Sequence, residues 1–258
     1  MNISIIGSGN VATHYGKAFH RAGHRIGQIW SREFDHAEQL AVQVDAEPID
    51  KLDFLRPDAD LYILAVSDDA LFDLALDLRL RDAVVLHTSG SVSMSVLRPI
   101  SRKHGVLWAP QSFVRTVEMD YSQLPFCIEA STPEVYSLIE SLARTVSSHT
   151  YSIGGEQRQW LHLTSVMVNN FGNAVNALAQ DLLQTQNIPF AILQPLVQIT
   201  AEKAQQSLDS SLWRLQTGPA VRRDEKTLDR HRSMLKDDPR LLQLYDLLTS
   251  FIEDNTRK

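Results

Sequence analysis

The sequence predicts an α/β fold in which a doubly wound parallel sheet is followed by an all-α domain. In the first half of the chain, short and nearly continuous apolar runs alternate with stretches of helical periodicity. This alternation is typical of parallel strands that are covered by helices on both faces. After Gly154-Gly155 only helical periodicity continues. We therefore predict two domains, residues 1–153 and residues 154–258, with a boundary near residue 153.

The apolar runs define the strands, and the amphipathic stretches define the helices. The predicted strands are Ile3–Ile6, Arg25–Trp30, Leu61–Val66, Ala83–His87, Gly105–Trp108, Phe126–Ala130 and His149–Ile153. The predicted helices of the first half are Asn10–Ala22, Phe34–Val44, Asp69–Leu78 and Pro133–Val146. Those of the second half are Glu156–Gln186, Phe190–Ser207, Asp224–Lys236 and Pro239–Asp254.

Composition and charge argue against several classes of function. The chain of 258 residues is 43% hydrophobic and 22% charged, which indicates a globular protein. A net charge of −6 argues against a nucleic-acid-binding surface. No apolar run approaches the roughly 20 residues of a membrane span, and no signal peptide is visible. The single cysteine, Cys127, cannot form an intrachain disulfide, so we expect a cytoplasmic protein. We also predict no metal site.

A glycine-rich turn follows the first predicted strand. The segment Gly7-Ser8-Gly9-Asn10-Val11-Ala12 matches the pattern G-x-G-x-x-A and opens a helix. In a Rossmann domain the first glycine permits the tight turn, and the second lets the backbone approach a diphosphate. The alanine lets the helix pack close to the strand, and the first N–H groups of the helix face the phosphates. We therefore predict that these six residues bind a dinucleotide.

The end of the second strand indicates which dinucleotide binds. NAD sites usually place Asp or Glu there to hold the ribose 2′-hydroxyl, whereas this chain has Ser31-Arg32. A hydroxyl and a guanidinium suit the dianionic 2′-phosphate of NADP. We therefore predict NADP(H) as the cofactor. Glu33 follows directly and leaves NAD as an alternative, and Arg32 could also be a solvated surface residue.

Three further segments follow predicted strands, where ligands of doubly wound sheets bind. The segment Val66-Ser67-Asp68-Asp69 could line the ribose and nicotinamide side of the cofactor, although Ser67 or Asp68 could equally cap the next helix. His87 could assist proton transfer because histidine titrates near neutrality, and a structural histidine is the alternative. The segment Pro110-Gln111-Ser112-Phe113 forms either a wall of the site or a plain turn.

The helix predicted after the boundary has a polar and an apolar face. At about 100° per residue, four polar residues lie within roughly 60° of each other: His162, Asn169, Asn173 and Asn176. The opposite side holds Met167, Phe171, Val175, Leu178 and Leu182. Asparagine is a poor helix former and the polar face has no Lys or Glu, which favours a polar cleft over a solvated face.

Another turn, Thr217-Gly218-Pro219, leads to Arg222, Arg223 and Asp224. Asp224 can cap the next helix. The arginines could bind a carboxylate or phosphate of a substrate, or form a structural salt bridge.

Together these motifs resemble bacterial Rossmann-like proteins with a C-terminal helical domain of unknown function, which are labelled as candidate NADP oxidoreductases. The motifs that carry the resemblance are Gly7-Ser8-Gly9-Asn10-Val11-Ala12, Ser31-Arg32, His87-Thr88-Ser89-Gly90-Ser91, Pro110-Gln111-Ser112-Phe113, His162-Leu163, Asn170-Phe171, and Thr217-Gly218-Pro219 with Arg222 and Asp224. The chain is more distantly similar to pyrroline-5-carboxylate reductase, to deazaflavin-dependent NADP reductases and to β-hydroxyacid dehydrogenases, whose helical domains resemble that of 6-phosphogluconate dehydrogenase. The resemblance implies an NADP-binding domain and a helical domain that pairs in a homodimer, but no particular substrate.

One departure from these relatives matters for mechanism. β-Hydroxyacid dehydrogenases carry a catalytic lysine four residues before an asparagine on the first long helix. The positions four residues before Asn169 and Asn170 are Ser165 and Val166. We therefore do not carry the hydroxyacid dehydrogenase mechanism over to this chain.

These observations predict an oxidoreductase in which NADPH delivers hydride to a C=O or C=N group of a small molecule, in a cleft between the domains. The predicted proton donors are His162 and His87, and the residues predicted to position the substrate are Asn170 and Arg222. The sequence contains no unambiguous acid–base pair. A nucleotide-binding sensor or assembly protein without turnover is therefore the alternative.

Overall fold

A single sheet organises the first part of the structure, a computed structural model that describes residues 1–206 and 211–256. Its strands are β1 (Asn2–Ile6), β2 (Arg25–Trp30), β3 (Glu47–Ile49), β4 (Leu61–Leu64), β5 (Val84–His87), β6 (Lys103–Trp108), β7 (Phe126–Ala130) and β8 (Thr150–Ser152). They lie in the order β3-β2-β1-β4-β5-β6-β7-β8. The order reverses between β1 and β4, which is the position where doubly wound sheets bind their ligands.

The predicted doubly wound sheet is confirmed, with one correction at its far edge. Strands β1 to β6 are parallel, but β7 runs antiparallel to β6, and β8 pairs parallel to β7. The segment between β6 and β7 contains a short 3₁₀ turn, Tyr121–Gln123, and no crossover helix. A chain that returns at the same end of the sheet can pair only antiparallel with the strand it leaves.

The short strand β3 was not predicted. It has three residues, includes Pro48, and pairs only with β2 at the edge of the sheet. Proline is tolerated at such an edge because its missing N–H faces away from the ladder. So short a segment lacks the alternation from which a strand is recognised.

Helices cover both faces of the sheet. They are α1 (Asn10–Arg21), α2 (Phe34–Ala41), α3 (Asp68–Asp77) and α4 (Pro133–Arg144). Successive residues of a strand point to opposite faces, so Ile5 joins the apolar cluster beneath α1 while Ile6 joins the cluster beneath α3. Tyr15 and Phe19 of α1 are fully buried in the first of these clusters.

The rest of the described chain is helical. The predicted helix Glu156–Gln186 consists of α5 (Gly155–Ser165), a π-helical segment (Val166–Phe171) and α6 (Gly172–Thr185). It is followed by α7 (Gln194–Gln206), α8 (Pro219–Arg222), α9 (Glu225–Met234) and α10 (Pro239–Asn255). The predicted end of the second of these helices, Ser207, lies outside the described residues. Among the helices of the described chain, none is long and apolar enough to cross a membrane.

By compactness the chain forms two units, Met1–Val175 and Asn176–Lys258. The first unit therefore includes α5 and the π-helical segment together with the sheet. The domain boundary near residue 153 stays a prediction.

A buried arginine joins α5 to the sheet. The Arg158 side chain is 1% exposed and forms an ion pair with Glu129 of β7. Its second terminal nitrogen, Nη2, donates to the Val92 carbonyl at 2.7 Å. A guanidinium is buried this deeply only when charged and polar partners replace its water. The pair therefore sets where α5 meets the sheet.

Replacing Arg158 with Met should lower the free energy of unfolding by about 2 to 3 kcal/mol. The change leaves Glu129 without its partner, and some remaining contact of Glu129 with water limits the loss. The matched control is Arg144→Met. Arg144 pairs with Glu140 at the spacing i,i+4, and both side chains are partly exposed. This pair should contribute less than about 0.5 kcal/mol to the free energy of unfolding. Urea unfolding followed by tryptophan fluorescence measures both; equal losses would contradict the assigned role of Arg158.

Candidate functional site

Glycine stands at positions 7 and 9 of the turn after β1 for different physical reasons. Gly7 has a φ of +127°, and a Cβ there would lie 2.1 Å from the Ala65 carbonyl oxygen, so the fold itself requires glycine. Gly9 precedes α1 with an ordinary φ of −75°, and a Cβ there would meet no atom within 4 Å. Neither backbone nor packing requires glycine at position 9, and the space above it is open to a ligand.

A cavity of about 1010 Å³ opens over this turn, and we call it the glycine-turn cavity. Every residue predicted to bind the cofactor lines it except Ala12, which is fully buried beneath in the core. The cavity continues along the ends of β2 and β4 to the loop after β5. The structure thus brings together the segments that the sequence assigned to the cofactor.

The end of β2 supplies a positive charge at this cavity, Arg32. The Ser8 hydroxyl donates to Ser31 Oγ at 2.9 Å and joins the glycine turn to β2. Arg32 is exposed and makes no hydrogen bond or ion pair with any residue that the structure describes. Glu33 also lines the cavity. An unpaired guanidinium at the rim of a cavity is available to a phosphate.

A carboxylate of the segment predicted to line the cofactor, Asp68, holds the loop after β5. Asp68, at the start of α3, accepts a hydrogen bond from Ser89 Oγ at 2.8 Å and one from Ser91 Oγ at 2.5 Å. Hydrogen bonds to an ionised acceptor are stronger than neutral ones, so this loop is fixed along the cavity. Ser67 also caps α3, since it accepts from the Ala70 N–H at 3.4 Å.

His87 lies below the site. Its ring is fully buried at the end of β5. It lines neither the glycine-turn cavity nor the neighbouring cavity at Gln111 and Asn170. Nδ1 accepts from the Ser89 N–H at 3.2 Å, while Nε2 has no partner among the described residues. Burial, followed by the positive charge of Arg158, lowers the pKa of His87 to about 3. The ring is therefore neutral near pH 7 and carries no acidic proton of an imidazolium.

His162, on α5, borders both cavities. Its ring centroid lies 6.0 Å from that of Trp108, and its nitrogens make no hydrogen bond with the described residues. A Cβ at Gly90 would lie 2.7 Å from His162 Cδ2 and 2.8 Å from Trp108 Cε2. Gly90 therefore lets the loop after β5 approach both rings, a role that its glycine-containing motif alone did not indicate.

A second cavity, of about 530 Å³, lies on the other side of His162, and we call it the amide cavity. Pro110, Gln111 and Ser112 line it, whereas Phe113 is buried in the core. Asn169 and Asn170 line it together. A π-helix closes its hydrogen bonds at i→i+5 and forms a wider turn, which accounts for two adjacent asparagines at one cavity. Asn173 and Asn176 of the predicted polar face are not among its lining residues.

The turn at Gly218 belongs to the second compact unit. Asp224 caps α9, as predicted, by accepting from Thr227 N–H at 3.2 Å and Thr227 Oγ1 at 2.8 Å. Arg222 is exposed at the end of α8. Its predicted contact with a substrate stays a prediction.

Comparison with known families agrees with this architecture. Residues 1–109 match the family model of a Rossmann-like domain, and residues 124–252 match that of a domain of unknown function, DUF2520. These matches confirm the resemblance that the motifs predicted. No match was found among curated proteins.

Solved structures provide three further comparisons. A candidate NADP oxidoreductase from Bacteroides fragilis is 38% identical, with 98% of each chain covered and a TM-score of 0.89. An imine reductase from Streptomyces aurantiacus is 14% identical, with 100% of each chain covered and a TM-score of 0.71. A 1-pyrroline-5-carboxylate reductase from Streptococcus pyogenes is 15% identical, covering 100% of this chain and 98% of its own, with a TM-score of 0.62. The last two similarities concern the fold alone.

The buried state of His87 predicts a loss of stability in acid. Its folded pKa of about 3 lies below the ordinary value of 6.5, so the ring gains a proton on unfolding, and stability present above about pH 6.5 is lost as the pH falls toward 3. Between pH 7 and pH 5 this amounts to about 2 kcal/mol.

His87→Asn should abolish that part of the pH dependence, because its amide oxygen can still accept from the Ser89 N–H. The measurement is the free energy of urea unfolding at pH 7, 6 and 5. The exposed His149, replaced by Asn, is the control that should leave the wild-type slope unchanged. If the free energy of unfolding falls equally with pH in wild type and in His87→Asn, the buried neutral state of His87 is not the cause of the loss.

Proposed function

The chain belongs to the family that joins a Rossmann-like domain to the domain of unknown function DUF2520, and from this premise we propose that it is an NADP-dependent oxidoreductase. The observation that carries the proposal is the position of His162 between the two cavities. A cofactor in the glycine-turn cavity and an acceptor in the amide cavity would meet at this ring. Hydride transfer needs such a meeting point, with reacting atoms about 3 to 3.5 Å apart.

The glycine-turn cavity has the groups that NADP(H) requires. The N–H groups at the start of α1 would bind the diphosphate, and the open space at Gly9 would accommodate its oxygens. Ser31 and Arg32 would hold the 2′-phosphate, and Val66 and Ser67, which line the same cavity, would contact the ribose and nicotinamide side. The relative from Bacteroides fragilis, a candidate NADP oxidoreductase, supports the same cofactor.

The reaction is the reduction of a C=O or C=N group of a small molecule. NADPH, when bound, supplies the hydride that is added to carbon. His162 donates the proton that oxygen or nitrogen gains, so the product is an alcohol or an amine. We prefer His162 to His87 as donor because His87 is buried and neutral.

Asn170 and Arg222 are proposed to position the acceptor. Asn170 presents its amide to the amide cavity beside His162. The role of Arg222 rests on its place in the family motif. A fixed acceptor reacts faster because the entropy of bringing the two reactants together has already been lost on binding.

We also propose that the chain acts as a homodimer through its helical part. Helix α6 exposes Val175, Leu178 and Leu182 by 45%, 37% and 42% of their surfaces. Contiguous apolar surface of this kind is typical of a protein interface. The family resemblance supports a second copy of the chain as the partner that covers it.

The first test concerns cofactor selectivity. Arg32→Gln should raise the Kd for NADPH by roughly 10- to 100-fold, because a charge-assisted hydrogen bond to phosphate is lost, and should leave the Kd for NADH nearly unchanged. Isothermal titration calorimetry measures both constants. Arg25→Gln is the matched control. Arg25 is the first residue of β2, whereas the cavity lies at the other end of this strand. An equal loss for NADPH and NADH would contradict the placement of the 2′-phosphate.

The second test concerns the proton donor. His162→Gln should lower kcat by roughly 100- to 10,000-fold and leave the Kd for NADPH unchanged, because the ring acts on the acceptor. NADPH oxidation is followed by absorbance with a panel of aldehydes, ketones and imines, and His149→Gln serves as the control. Tight binding of NADPH with no oxidation across the panel would favour the alternative of a nucleotide sensor.

The third test concerns the dimer. Sedimentation equilibrium should give about twice the chain mass of 29.1 kDa. Leu178→Glu combined with Leu182→Glu should shift the mass to that of one chain, because buried unpaired charges oppose association. The control is Gln180→Glu, a neighbouring exposed polar position on the same helix. A double variant that remains dimeric would show that α6 does not form the interface.

A further inference from the structure

We propose that the amide cavity takes a neutral substrate that carries its own N–H or O–H donors, and that it discriminates against carboxylates and phosphates. The inference rests on the proposed function, because it names the class of carbonyl or imine compound that would be reduced. It is carried by the chemistry of the lining side chains, all of which belong to the first compact unit.

Among the described residues that line the amide cavity there is no lysine, arginine, aspartate or glutamate. Its polar members are Gln111, Ser112, His162, Thr164, Ser165, Asn169 and Asn170. A carboxylate or phosphate that leaves water needs a counter-charge and several hydrogen-bond donors, and arginine is the residue that most often supplies them. The glycine-turn cavity differs because it has a cation for an anionic group, the unpaired Arg32 at its rim.

Two hydroxyls of the cavity can only accept a hydrogen bond from a ligand. Thr164 Oγ1 donates its proton to the Trp160 carbonyl at 3.0 Å, and Ser165 Oγ donates to the Leu161 carbonyl at 2.7 Å. Each oxygen retains lone pairs but has no proton left. An anionic ligand has no donor for these oxygens and would be repelled by them, whereas an amide or alcohol has one.

The three amides supply the complementary groups. Gln111 Oε1 accepts from the Ser112 N–H at 2.9 Å, which leaves its NH₂ group to donate. Asn169 Nδ2 donates to Asn170 Oδ1 at 3.4 Å, which leaves Asn169 Oδ1 to accept and Asn170 Nδ2 to donate. The cavity thus offers donors and acceptors in a mixed set. A neutral polar molecule can satisfy both kinds, and a site of this kind rejects an analogue that leaves its polar groups unpaired.

The remaining wall accommodates an apolar part of the same molecule. Trp108, Leu161 and Val166 line the cavity, and Trp108 and Leu161 also pack in one apolar cluster at the end of the sheet. The substrate class that fits is therefore a ketone, aldehyde or imine with an apolar segment and an amide or hydroxyl group.

The experiment compares matched pairs that differ only in charge. The probes are ketones that carry either a carboxamide or a carboxylate, beginning with 4-oxopentanamide and 4-oxopentanoate. Their Kd values are measured by ligand-observed NMR with the full chain saturated with NADP⁺. We expect each carboxamide to bind at least about tenfold more tightly than its carboxylate. A carboxylate that binds equally or more tightly, or the absence of binding by every pair, would overturn the inference.

A charge introduced into the cavity gives an independent test. Gln111→Lys should tighten binding of the carboxylates by about tenfold and weaken that of the carboxamides, because it adds a cation and removes an amide. Gln123→Lys, at an exposed position outside both cavities, is the control that should change neither. If Gln111→Lys has no more effect on the carboxylates than Gln123→Lys, the lining does not decide the charge of the ligand.

The outcomes separate this inference from the proposed function. Selective binding of carboxamides with no oxidation of NADPH by any pair would support the inference while the proposed reduction fails. Oxidation of NADPH with carboxylates alone would overturn the inference and leave the proposed reduction standing.

Discussion

The candidate site depends on the ion pair between Arg158 and Glu129. This pair, with the hydrogen bond to the Val92 carbonyl, fastens the first turns of α5 to the far edge of the sheet. His162 follows Arg158 by four residues, so the two side chains lie on the same side of the helix. The contact that buries Arg158 therefore also directs His162 toward Gly90 and the two cavities.

The same buried charge separates the roles of two histidines. Arg158 opposes protonation of His87, which burial already disfavours, and the pKa of that ring falls to about 3. His162 stands at the cavities with both ring nitrogens unpaired among the described residues. One imidazole thus supports the loop that carries Ser89, while the other is available to a ligand. A proton donor must be reachable by the acceptor, and of the two rings it is His162 that lines the glycine-turn cavity and the amide cavity.

Local patterns were sufficient to locate seven of the eight strands and the segments that line the glycine-turn cavity. The glycine turn was predictable because its conformation is decided by neighbours in sequence: a strand ends, Gly7 adopts a positive φ, and α1 begins. Ser31 and Arg32 were predictable because the end of β2 has a known place in a doubly wound sheet. The reversed direction of β7 was not, because apolar periodicity carries no information on strand direction.

By itself the sequence determined the α/β order, the glycine turn with its basic neighbour, and the helical second half, because each follows from short-range periodicity and backbone preference. Only the tertiary structure decided that His87 is buried beside Arg158, that Asp68 holds the loop after β5, and that a π-helical segment brings Asn169 and Asn170 to one cavity. Burial, charge partners and cavity walls arise from residues far apart in the chain. Their contacts depend on packing, which no local pattern encodes.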